Sequence, residues 1–158
     1  MGCSRNLRAR ECWSVSDIVA PLVPSKRVSF SDRLRALLVL PIVFVLVRQQ
    51  PGRLQQVLGS MARGKDAADL PLVARGLDAV VTVSRRCAGR YCLDRATAVA
   101  VFCWTQGRWP EWHAGAAIDP FRAHAWVCVD GEPVREPTSL VKYFVPMISV
   151  VPKPRAEV

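Results

Sequence analysis

The sequence predicts an α+β fold in which helices come first and antiparallel strands follow. Three observations predict it. Apolar residues recur at helical spacing as far as Trp104. The pattern turns extended after Gln106-Gly107-Arg108-Trp109-Pro110. Asp130-Gly131, set between two extended runs, is a hairpin turn signal.

Taken in order, residues 1–28 are basic and broken by Pro21 and Pro24, which predicts a flexible arm with a short strand near Val15 to Val19. Residues 29–158 are expected to form one domain, helical over 29–104 and β-rich over 111–151. Ser29-Phe30-Ser31-Asp32 has the form of a capping box, in which the two polar side chains satisfy free amides at a helix start. The apolar run Ala36 to Val47 follows. It is shorter than the ~20 residues that span a bilayer, so a buried helix kinked at Pro41 is the favoured expectation. An interfacial membrane segment or a hydrophobic dock for a partner is the alternative.

Leu54, Val57, Leu58 and Met61 lie at i, i+3, i+4 and i+7 and predict a helix over 52–63. Asp69 and Pro71 open another, with Leu70, Val73, Leu77, Val80 and Val81 as its stripe. Cys92 to Trp104 is helical, with Leu93, Ala96, Val99, Ala100 and Cys103 on one side. Residues 112–118, 123–129, 133–136 and 144–151 predict strands, the last suited to a sheet edge because it holds Pro146.

Composition narrows the function classes. The chain of 158 residues is 51% hydrophobic and 22% charged, which excludes wholesale disorder. Its net charge of +9 favours an acidic partner. The basic residues are scattered, however, without a long run or a basic–aromatic alternation, so no nucleic-acid partner is expected. Six cysteines without a CxxC pair, beside only two histidines, give no zinc pattern, and neither a metal nor a cofactor is expected. Residues 1–20 lack the apolar centre of a secretory signal, so reduced cysteines and a cytoplasmic location are expected. The opening Met1-Gly2-Cys3-Ser4-Arg5-Asn6 fails the myristoylation pattern at Asn6.

Two stretches carry chemistry. Arg90-Tyr91-Cys92-Leu93-Asp94-Arg95 delivers a cysteine to a helix start, where unpaired amides and the helix dipole stabilise a thiolate. Phe121-Arg122-Ala123-His124-Ala125-Trp126 delivers a histidine, whose ordinary pKa near 6.5 suits a proton acceptor and donor. Nucleophilic catalysis by cysteine needs this pair together in space. Taken alone, Cys92 reads more readily as a buried inert cysteine and His124 equally as a packed core residue, and Cys87 and His113 are the rivals. The third group, which orients the imidazole, is Glu136 or Asp130. The Asp-Gly turn already accounts for Asp130.

These segments resemble the transglutaminase-like cysteine superfamily, in which a cysteine heads a helix and a His-Ala-Trp-Val strand precedes Asp-Pro-Thr. More closely, they resemble the leader peptidases of bacterial lasso-peptide biosynthesis. The resemblance rests on Cys92-Leu93-Asp94-Arg95-Ala96, where that family commonly has Cys-Leu-x-Arg-Ser, on Asp119-Pro120-Phe121-Arg122-Ala123-His124-Ala125-Trp126-Val127, and on Val129-Asp130-Gly131. It covers about residues 73–138. It implies a transglutaminase- or papain-like core after the N-terminal helices, with the cysteine-bearing helix packed on a small antiparallel sheet. It implies Cys92 as nucleophile, His124 as general base and acid, and Glu136 at the usual aspartate position, with Trp126 and Asp130 as secondary candidates. Arg90, Arg95 and Phe121 are expected to contact substrate or partner. Two departures stand out: glutamate replaces aspartate at 136, and Ala96 replaces a common serine, which argues against an essential hydroxyl there.

The implied activity is a cysteine endopeptidase that frees a core peptide from its leader. The implied partners are the precursor peptide, a separate leader-binding protein that presents it, and an ATP-dependent lasso cyclase, with segment 36–47 and the basic arm as expected docking surfaces. A transglutaminase-like acyl-transferase and a non-catalytic peptide-binding module are the alternatives.

Overall fold

A computed structural model describes residues 22–152. Most of the 1–28 arm, including the expected strand at 15–19, lies outside the described residues. Its described end is tied down: the Leu22 N–H donates to the Ala88 carbonyl at 2.8 Å and the Ser25 N–H to Asp78 Oδ1 at 2.8 Å.

Helix α1 spans Phe30–Leu46 and α2 spans Pro51–Ala62. A two-residue strand, β1 (Asp66–Ala67), precedes α3 (Leu70–Val83) and the single turn α4 (Arg85–Ala88). Helix α5 runs from Cys92 to Trp104. The starts follow local chemistry. Ser29 Oγ accepts from the Asp32 N–H at α1, and Asp69 Oδ1 accepts from the Leu72 N–H at α3, each satisfying an amide with no helical partner. Asp32 also receives Arg75 of α3 at 3.0 Å, which clamps α1 to α3.

Helix α5 is the centre of the molecule. Every residue from Asp94 to Cys103 is buried, not one stripe alone, because α1 and α3 pack on it from one side and the sheet from the other. Phe102, Val99 and Val101 are wholly covered, and each such side chain contributes about 1.5–3 kcal/mol of apolar burial.

Helix α1 departs from the expectation of a buried helix. Asp32, Ala36, Val39 and Val43, spaced by four, three and four, are its only buried residues. This single stripe faces α3 and α5, and nothing among the described residues covers the opposite side. Leu37, Leu38, Ile42 and Val45 are therefore exposed, Leu38 by 66%. The run is apolar all round, but only one face has neighbours. The helix continues through Pro41. No described helix is long and apolar enough to cross a membrane.

After α5 the chain makes β2 (Arg108–Trp109), which pairs in parallel with β1, and then a four-stranded sheet. That sheet comprises β3 (Glu111–Ile118), β4 (Phe121–Val129), β5 (Glu132–Pro133) and β6 (Val145–Val150), with the single turn α6 (Thr138–Val141) before the last. Its order is β5-β4-β3-β6, antiparallel throughout, so the mixed α+β class and the small antiparallel sheet stand as expected. One face, with Trp112, Ala125, Val127 and Val150, closes the core over α5, while Trp126, Cys128, Leu140 and Phe144 form a smaller cluster.

The strand expected over 133–136 is shorter. Arg135 has φ 58°, a left-handed conformation that ends the ladder. Its guanidinium is held by Asp78 and by the Val23 carbonyl. The chain is thereby turned at Arg135, and the turn decides where Glu136 goes.

Candidate active site

Cys92 is the first residue of α5. The preceding residue, Tyr91, makes no side-chain capping bond, so the first-turn amides keep their positive potential free. Asp94 in that turn would oppose a thiolate, but Arg86 Nε meets its carboxylate at 2.7 Å, and the Arg86 guanidinium lies 3.9 Å from the Tyr91 ring centre.

Strand β5 pairs with β4 only at Cys128 and Val129, which leaves the upstream edge of β4 open. The start of α5 lies against that edge, where the His124 imidazole and the Ala125 N–H are close enough to the Cys92 sulfur to favour its thiolate. His124 is buried, stacked 5.9 Å from Trp126 at 13° and 5.1 Å from Phe144. Its Nε2 makes a short hydrogen bond to Glu136 Oε2, so Nδ1 is the nitrogen left to the thiol.

Across the sheet His124 pairs with Gly115 of β3. A Cβ on Gly115 would lie 2.3 Å from the Val145 carbonyl oxygen, so only glycine lets β6 approach here and seat Phe144 against the imidazole.

Arg95 joins the two halves of this arrangement. Its Nη1 donates to the carbonyls of Cys87 at 3.1 Å and Gly89 at 2.8 Å, fixing the approach to Cys92. Its Nη2 lies 3.5 Å from Glu136 Oε1. The expectation that Arg95 faces substrate is corrected: its side chain is 11% exposed and spent on internal acceptors, because the turn before α5 leaves carbonyls that only a buried donor can satisfy.

The remaining residues fall as follows. Arg90 and Phe121 are exposed near the ends of the elements that carry Cys92 and His124. Trp126 is the packing surface beneath the imidazole. Asp130 stands in the hairpin turn with φ 51°, exposed and away from His124, so the turn accounts for it. Cys87 is 1% exposed and its thiol is pushed up by burial, which removes it as a rival nucleophile. His113 is hydrogen-bonded to Ser149, not to Cys92. Sequence reasoning missed the tether through Arg95 and the contact from Phe144. The one available signal for the tether was the basic residue three positions after Cys92, on the same side of the helix.

The electrostatics are those of an ion pair. Burial raises the Cys92 thiol, but the hydrogen bond and charge of His124, the Ala125 amide and Arg95 outweigh it, and the thiol falls below its ordinary value. Burial pulls His124 down, but the bonds and charges of Cys92 and Glu136 lift it to about 9. The imidazolium therefore favours the folded state fully below its ordinary 6.5, and that contribution is lost as pH rises through about 9. The thiolate contribution is complete above the ordinary thiol value and is lost as pH falls through the lowered one. Between those limits the pair is charged.

Burial places Cys103 at about 12 and Cys128 at about 11. At pH 7, iodoacetamide is accordingly expected to alkylate Cys92 at least about 100-fold faster than either, as followed by peptide mapping. Equal rates, or an inert Cys92, would remove the ion pair.

Residues 36–149 match the transglutaminase-like superfamily, and the chain belongs to it. The matched span contains Cys92, His124 and Glu136. No curated protein and no solved structure matches the chain.

Proposed function

We propose that this chain is a cysteine peptidase that cuts one peptide bond in a ribosomally made lasso-peptide precursor, releasing the core peptide from its leader. The observation that carries the chemistry is that Cys92, at the start of a buried helix, has its thiol lowered by the neighbouring His124, whose Nε2 is hydrogen-bonded to Glu136. Membership of the transglutaminase-like superfamily supports cysteine chemistry at that site. The sequence resemblance at 92–96 and 119–131 supports the choice of substrate.

In this reading the Cys92 thiolate attacks the scissile carbonyl. First-turn amides of α5, that of Cys92 among them, receive the oxyanion. The His124 imidazolium gives its proton to the leaving amine as the carbon–nitrogen bond breaks. It then takes a proton from water, which attacks the thioester and frees the acid and the thiol. Glu136 holds Nε2–H and so fixes the imidazole plane and tautomer. Glutamate stands where the superfamily usually has aspartate, and its carboxylate still reaches the imidazole from beyond the left-handed turn at Arg135. A separate leader-binding protein presents the precursor, and an ATP-dependent cyclase takes the product.

The test is mass spectrometry of a precursor incubated with this protein and the leader-binding protein, beside Cys92→Ala. Cleavage at one bond by the wild-type chain alone is the expected result. A product joined to an added amine would identify an acyl-transferase instead. Leader binding without any cleavage would identify a peptide-binding module.

A further inference from the structure

A second constellation lies on the sheet, outside the site just described. Glu111 and His113 are two apart on β3, so their side chains leave the same face. The register sets Glu111 opposite Cys128 and His113 opposite Trp126 on β4. A carboxylate oxygen of Glu111, a ring nitrogen of His113 and the Cys128 sulfur all lie within 4.8 Å of one another. Oxygen, nitrogen and sulfur ligands at about 2.0–2.3 Å from a tetrahedral zinc ion are about 3.5 Å apart, so small side-chain rotations close the set.

The surrounding bonds already aim these donors. His113 Nδ1 is 2.8 Å from Ser149 Oγ on β6, and Glu111 Oε1 accepts from the Gly131 N–H at 3.2 Å. That amide is presented by the hairpin turn, in which Asp130 and Gly131 have φ 51° and 79°. His113 and Glu111 are therefore each held by an outer atom, and their inner atoms, His113 Nε2 and Glu111 Oε2, face each other at 3.8 Å. Outer bonds of this kind orient metal ligands. Cys128 is buried, whereas the Glu111 and His113 side chains are 26% and 16% exposed, which leaves an open side for water.

We propose that Glu111, His113 and Cys128 form a binding site for a zinc-class divalent cation, with water as the fourth ligand. The Cys128 thiol releases its proton to solvent as the sulfur–metal bond forms, and no electron is transferred. Imidazole, thiolate and carboxylate together favour zinc or cobalt over calcium or magnesium. The ligands and the Ser149 support come from β4, β3 and β6, so the ion would clip three strands together. Trp126 is shared: its ring centre is 5.7 Å from that of His113 and 5.9 Å from that of His124. The cation would thus stiffen the surface on which His124 rests. The sequence expectation of no metal followed from spacing within the chain, whereas these ligands converge only through strand register. The site stands independently of the peptidase reading.

Because Cys92, His124 and Glu136 offer a similar donor set, the test uses the Cys92→Ala protein, titrated with cobalt(II) under reducing conditions. The expected result is a thiolate-to-cobalt charge-transfer band with tetrahedral visible bands, displaced by zinc and accompanied by a higher melting temperature. Adding Cys128→Ser should abolish the charge-transfer band. Ser149→Ala should weaken binding about 10-fold, and His113→Ala at least as much; His113→Ala carries the test should Cys128→Ser fail to fold by circular dichroism. Absence of the band in the Cys92→Ala protein would overturn the site. So would a band unchanged by both Cys128→Ser and His113→Ala, which would place cobalt on other cysteines.

Discussion

Alanine at His124 is expected to slow precursor cleavage by about 10⁴-fold, mostly in kcat. The side chain acts three times in the proposed reaction: it holds the thiolate, protonates the leaving amine and activates water. It also accounts for most of the lowering of Cys92, since its hydrogen bond and its charge are the first influences after burial. The same substitution should therefore reduce alkylation of Cys92 at pH 7 at least about 10-fold. A merely structural histidine would leave that rate unchanged. Glu136 keeps Arg95 as a partner in the variant, so the carboxylate is not stranded. Combined with Cys92→Ala, the loss should be no greater than for either change alone, because the two residues act as a unit. Cleavage by His124→Ala within 10-fold of wild type, with Cys92 still reactive, would remove the histidine from the mechanism.

The helices and the site differ in how much local sequence reveals. The start of α5 is encoded where it acts, since the break at Gly89 and the periodicity after Cys92 define it together. The sequence places His124 on its strand and names Glu136 as its orienting partner, without fixing how the two meet. The contact exists, but it is made by a left-handed turn at Arg135 whose anchors, Asp78 and Val23, are far away in sequence. Helix α1 shows the converse. Hydropathy marks Ala36 to Val47 as apolar but carries no record of how many neighbours surround it, and only one stripe finds them. The Glu111, His113 and Cys128 cluster was invisible for a related reason. Its members become neighbours only once β3 and β4 pair in one register, and a slip of one residue would send Cys128 to the other face.

Methionine at Arg95 is expected to cost about 3–5 kcal/mol of stability, the usual loss when one member of a buried ion pair is removed. For a chain of this size that lowers the melting temperature by about 10 °C. The side chains of Arg95 and Glu136 are 11% and 12% exposed, so solvent screens their attraction little. Methionine fills the space but returns none of the donors. The carbonyls of Cys87 and Gly89 lose their partner, and Glu136 keeps only His124. An acceptor left unpaired in the interior costs about 1–3 kcal/mol by itself. Lysine would restore the charge but cannot reach two carbonyls and a carboxylate with one planar fork, so it should recover less than half of the loss. Activity measured well below the melting temperature separates positioning from stability. With Glu136 and the approach to Cys92 both loosened, kcat should fall while KM stays near the wild-type value, and the acid limb of the pH–rate profile should move up as Cys92 loses the Arg95 charge that helps to lower its thiol. A melting temperature within 2 °C of wild type, or an unshifted acid limb, would show that Arg95 does not couple the cysteine helix to the histidine strand.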